Sequence, residues 1–84
     1  MRVIAAAFPD DSSARAAEAR LIAQLALEKN QIGVEALAQA PGRTGARAIL
    51  AGRFREDLVG IARTVVERFG GTMVIDIDDR GRNA

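Results

Sequence analysis

The 84-residue sequence contains no cysteine, histidine, tyrosine or tryptophan. Because cysteine and histidine are absent, disulfide bridges and the usual zinc sites are excluded. The same absences remove the side chains that most often serve as nucleophiles and general bases. We therefore expect a protein that is not an enzyme and that carries no metal or other cofactor.

An excess of one charge and long apolar runs are also missing. The 12 basic and 11 acidic side chains leave a net charge of +1, so no strong field attracts the chain to nucleic acid or to a membrane surface. No apolar run approaches the length of a membrane span. The apolar stretch at residues 1–8 is too short for a signal peptide, and Pro9 follows it at once. We expect a cytoplasmic protein that binds neither nucleic acid nor membranes.

The second half of the chain contains the clearest periodic element, a helix predicted over residues 56–69. Its apolar residues recur at the spacing of one helix face. The predicted inner face consists of Leu58, Ile61, Ala62, Val65 and Phe69. Gly70 offers the left-handed residue that ends a helix, and Gly60 is expected to permit close packing. Strands are predicted before and after this helix, over residues 47–54 and 72–77.

The first half repeats the order of strand, helix and strand. Residues 3–8 are continuously apolar, which is typical of a buried strand. Asp10 and its polar neighbours are candidates for an N-cap, and the helix is predicted over residues 13–29. Its predicted inner face consists of Ala14, Ala17, Leu21, Ile22 and Leu25. Asn30 is expected to end it in the left-handed conformation, and a strand over residues 32–40 follows.

The element order is therefore β-α-β-β-α-β. With a right-handed crossover in each half, it predicts an α+β, ferredoxin-like fold, in which a four-stranded antiparallel sheet carries two helices on one face. We expect residues 1–78 to form one domain and residues 79–84 to form a polar C-terminal tail.

An apolar sheet face without helices is normally an interface. The sequence does not determine which side of the first strand faces the helices. Val3, Ala5 and Ala7 can do so, or the alternate residues Ile4, Ala6 and Phe8. The predicted interface consists of Ile4, Ala6, Phe8, Ile49, Ala51 and Val74. A second copy is the simplest partner. The leading interpretation is a homodimer or higher closed oligomer acting through protein interaction, with another protein as a possible partner.

Two other segments suggest ligands. The loop over residues 40–46 is rich in glycine, and such backbone can bind an anion. A candidate anion site consists of Arg43, Thr44, Gly45 and Arg47, although a simple hairpin loop fits the same residues. Asp76, Asp78 and Asp79 form an acidic cluster that could hold a hard cation or be a solvated strand end.

Residues 3–10, with Ala14, Ala17, Leu21 and the later segment 32–34, resemble small bacterial domains of the general stress protein 17M (heat-induced stress protein) type. This resemblance implies a stress-related protein with no catalytic residues to transfer. The segment Gly52-Arg53-Phe54 is similar to the corresponding part of SPOR domains, which implies glycan binding. The topology also resembles that of ACT domains, which implies a regulatory module with a small ligand at a subunit interface.

Overall fold

The computed structural model describes residues 1–36 and 47–78, and the side chain of residue 78 is not described. The helices and strands are β1 (Arg2–Phe8), α1 (Asp11–Leu25), β2 (Ile32–Ala36), β3 (Ala48–Phe54), α2 (Val59–Arg68) and β4 (Thr72–Asp78). One turn of 3₁₀ helix precedes β2 and another precedes α2. The strands form a four-stranded antiparallel sheet in the order β2-β3-β1-β4. The predicted α+β, ferredoxin-like arrangement is confirmed.

Helix α1 begins at Asp11, two residues before the predicted start, and it ends earlier than predicted. The carboxylate of Asp10 accepts a hydrogen bond of 2.6 Å from the backbone N–H of Ser13, which lowers the pKa of Asp10. The predicted end near Asn30 is wrong, because Ala26 adopts the left-handed conformation with φ of 54°. The turn at Ala26 brings Leu27 back against the core, and burial of this leucine offsets the strain of a left-handed alanine.

Helix α2 ends at the predicted place, since Gly70 has a positive φ of 89°. Its inner face differs from the predicted one. Ile61 is 40% exposed, whereas Val66 is fully buried and was not in the predicted set. Both residues are apolar, so the sequence permits two neighbouring helical faces, and packing against the sheet selects the one that buries Val66.

The hydrophobic core lies between one face of the sheet and both helices. The side chains of Ile4, Ala6 and Phe8 on β1 are buried in this core. The prediction that these three residues belong to an interface is therefore wrong. This orientation buries an isoleucine and a phenylalanine, whereas the opposite one would bury a valine and two alanines. The observed orientation is favoured because it buries more apolar area, and burial contributes about 25 cal/mol of stability per Å² removed from water.

In the two described ranges, no helix has the length and the hydropathy needed to cross a membrane.

Candidate interface on the open face of the sheet

The sheet has a second face that neither helix covers, and we call it the open face. Strand pairing places its residues together: Val3 lies beside Ile77, Ala5 beside Ile75, and Ala7 beside Ile49. The open face consists of Val3, Ala5, Ala7, Gly33, Glu35, Ile49, Ala51, Arg53, Thr72, Ile75 and Ile77. Most of these side chains are apolar, and the turn Lys29–Gln31 borders the face beside Val3 and Gly33.

Strand β4 carries the largest exposed apolar side chains of the sheet. Val74 is 55% exposed, Ile75 is 46% exposed and Ile77 is 44% exposed. Single exposed apolar residues are normal on a protein surface, but adjacent ones indicate an interaction site. We call these three residues the β4 ridge.

Val74 belongs to the β4 ridge because of a β-bulge in β4. Ala5 pairs with Ile75 and the next residue, Ala6, pairs with Met73, so Val74 has no partner on β1. Such a bulge adds an unpaired residue and bends the strand. Here the extra residue is an exposed valine next to Ile75, which enlarges the apolar surface.

The opposite side of the open face contains a depression. Gly33 on β2 has no side chain, and a hollow of about 280 Å³ lies between it, Glu35, Ile49 and Ala51. Gly33 pairs with Ala51 on β3, and a Cβ atom at Gly33 would meet nothing within 4 Å. A ridge on one side and a hollow on the other therefore lie on the same face.

The ridge and the hollow lie at the same level along the strands. Ile75 pairs with Ala5, Ala5 pairs with Ala51, and Ala51 pairs with Gly33. These four residues form one straight row across the sheet, with the ridge residue and the glycine at its two ends. A two-fold axis between two stacked sheets and parallel to their strands would place Ile75 of each copy opposite Gly33 of the other.

Three of the six predicted interface residues lie outside the core. Ile49, Ala51 and Val74 belong to the exposed side of the sheet or its bulge, while the three residues of β1 are buried as described above. Ile75 and Ile77 were missed. These two isoleucines are two residues apart, so they lie on the same face of the strand, and Asp76 between them lies on the other face. This spacing could have identified them.

Of the two acidic residues of β4, only Asp76 has a described side chain, and that side chain forms ion pairs. Asp76 accepts a hydrogen bond of 2.7 Å from Nε of Arg2 and another of 3.2 Å from Nη2 of Arg63. Two guanidinium groups therefore compensate the one carboxylate and link α2 to β4. Within residues 1–36 and 47–78, no three metal-binding side chains come together. Asp79 lies outside the described residues.

The predicted anion site in the loop also falls largely outside the described part of the chain. Arg43, Thr44 and Gly45 belong to residues 37–46, which the structure does not describe. Arg47 is exposed, and its backbone N–H donates a hydrogen bond of 2.9 Å to the carbonyl oxygen of Phe8. Anion binding at this loop stays a prediction.

Comparisons with family models, with curated proteins and with solved structures give no significant match. The resemblances to stress proteins, SPOR domains and ACT domains therefore stay predictions.

Proposed function

We propose that this protein is a non-enzymatic interaction module that forms a homodimer through the open face of its sheet. The observation that carries the proposal is the row from Ile75 to Gly33, which joins an apolar ridge to a hollow across one face. A two-fold interface uses the same patch on both copies and must complement itself. In the proposed dimer, the ridge of each copy fits the hollow of the other, so the same contact occurs twice.

The geometry favours two sheets stacked with their strands nearly aligned. Aligned sheets pack about 10 Å apart with their strands within about 30° of each other. In such a stack, Ile75 of each copy enters the space that the missing side chain of Gly33 leaves on the other. Small residues in the centre of the face, Ala5 and Ala51, allow the two sheets to approach closely.

The size of the open face predicts moderate affinity. Four strands about 4.8 Å apart and about 20 Å long present roughly 400 Å² per copy. Two copies would therefore bury roughly 800 Å² in total, which is below the roughly 1,000 Å² that stable interfaces usually bury. We therefore expect a dimer that dissociates on dilution.

Replacement of Ile75 by lysine should abolish the dimer without unfolding the protein. Ile75 is half exposed in one copy, so the isolated domain tolerates a charge there. Burial of an isoleucine contributes about 1.5–3 kcal/mol, and each dimer contains two, so the dissociation constant should rise more than about a hundredfold. Sedimentation velocity over a concentration series measures the change.

The matched control is Ile61→Lys. Ile61 is exposed to a similar extent and receives the same charge, but it lies on α2, on the other side of the sheet. This variant should sediment like the unmodified protein. Equal dissociation of both variants, or a wild-type chain that stays monomeric at the highest concentration, would contradict the proposal.

A further inference from the structure

A groove of about 460 Å³ runs between α1 and α2, on the side of the molecule opposite the open face. Val65 and Phe69 form part of its apolar lining, and polar side chains of both helices complete it. Ile61, the exposed isoleucine of α2, also lines it. Small-molecule sites commonly have volumes of about 300–1,000 Å³ and combine apolar walls with a few polar groups. The groove has the size and composition of such a site.

Two arginines that line this groove have no ion-pair partner among the described residues. Arg20 on α1 and Arg68 on α2 are exposed, and neither forms an ion pair within the described ranges. Other helix arginines do: Arg15 lies 2.8 Å from Asp11, and Arg63 lies 3.2 Å from Asp76. A guanidinium group matches a carboxylate or phosphate in shape and charge, so the unpaired arginines favour an anionic ligand.

The one acidic side chain in the groove is already compensated. Both carboxylate oxygens of Asp57 accept hydrogen bonds from Arg55, at 2.8 and 3.2 Å. Its negative charge is therefore balanced by an arginine that does not line the groove. Arg20 and Arg68 consequently leave the groove with a positive excess.

Gly60 lies in the groove inside α2, where glycine destabilises a helix relative to alanine. The sequence suggested that it permits close packing, but a Cβ atom there would meet nothing within 4 Å. Packing among the described residues does not explain it. A glycine also permits a ligand to approach the backbone closely, and its missing side chain keeps the groove open beside Ile61.

We propose that the groove binds a small organic anion with an apolar body and one carboxylate or phosphate group. The apolar body covers Ile61 and Val65, and the anionic group lies between the guanidinium groups of Arg20 and Arg68. The site uses only the helices, so it does not depend on the dimer proposed for the opposite face.

The test is a titration followed by amide chemical shifts in nuclear magnetic resonance. The probes are 4-phenylbutyrate, phenyl phosphate and the neutral analogue 4-phenylbutanamide. At least one anion should give saturable shifts in residues 20–24 and 57–69. The neutral analogue should bind about tenfold or more weakly, because it cannot form charge-assisted hydrogen bonds with the arginines.

Two variants separate charge from shape. The double substitution Arg20→Gln with Arg68→Gln should raise the dissociation constant about tenfold or more, and Gly60→Leu should block the groove. The control Arg15→Gln with Lys29→Gln removes the same total charge outside the groove lining and should change affinity less than about twofold. The proposal is overturned if neither anion gives saturable shifts, if the shifts map to the open face, if the neutral analogue binds equally well, or if the control pair loses as much affinity.

Discussion

Replacement of Val66 by aspartate should unfold the domain, whereas the same substitution at Ile61 should leave it folded. Val66 is fully buried under the sheet, while Ile61 is 40% exposed. A buried carboxyl group without a partner has its pKa raised by about 3–5 units, and its protonation near neutral pH costs about 4 kcal/mol. The lost burial of the valine side chain adds about 1.5–3 kcal/mol. A domain of this size has a total stability of about 4–13 kcal/mol, so the loss removes most or all of it.

Thermal unfolding followed by far-ultraviolet circular dichroism measures both variants. Val66→Asp should show no cooperative transition above room temperature, and Ile61→Asp should melt within a few degrees of the unmodified protein. If Ile61→Asp unfolded and Val66→Asp did not, α2 would present the face that the sequence pattern alone suggested, and the described packing of this helix would be wrong.

The second large effect is expected at Gly71, between α2 and β4. A Cβ atom at this position would lie 2.5, 2.7 and 2.9 Å from three ring atoms of Phe8. The ring is almost completely buried in the core, so it cannot move away without displacing its neighbours. Gly71→Ala should therefore lower the free energy of unfolding by about 1–3 kcal/mol, the usual cost of overpacking.

Gly60→Ala is the matched control, since it makes the same chemical change in open space. Within α2 the alanine should stabilise the helix by about 1 kcal/mol. For a domain of this size, each 1 kcal/mol shifts the melting temperature by about 4–8 °C. The two variants should thus shift the melting temperature in opposite directions, and a Gly71→Ala protein that melts at or above the unmodified one would contradict the described contact with Phe8.

The fold could be predicted because each element carries a local signal. Apolar periodicity identifies α2, the glycine at position 70 ends it, and Asp10 caps α1. The element order then restricts the topology to very few arrangements. None of these signals needs information about residues distant in the sequence.

The orientation of β1 could not be predicted in the same way. Both sets of alternate residues in this strand are apolar, so its pattern does not distinguish the core from the open face. The role of Gly71 was hidden for a related reason, because its contact with Phe8 joins residues far apart in the chain. The orientation of β1 and the contact at Gly71 both depend on how the helices and strands pack against each other.

The candidate sites depend on juxtapositions that a single sequence does not show. A β-bulge exposes Val74 beside Ile75, and no local motif marks its position. Arg20 and Arg68 come from different helices and line the same groove only in the folded protein. The sequence predicted an apolar sheet face, of which Ile49 and Ala51 belong to the open face. The arginines of the groove are different residues from those of the predicted loop site.

An isotope-filtered nuclear Overhauser experiment shows directly whether a second copy covers the open face. The sample mixes copies labelled with ¹³C with unlabelled copies, so that only contacts between copies are detected. If the dimer forms through the open face, the methyl groups of Ile75 should give intermolecular contacts to the backbone of Gly33 and to Ile49. A dimer whose intermolecular contacts arise only from the helices, or the absence of such contacts at concentrations where the protein is dimeric, would contradict it.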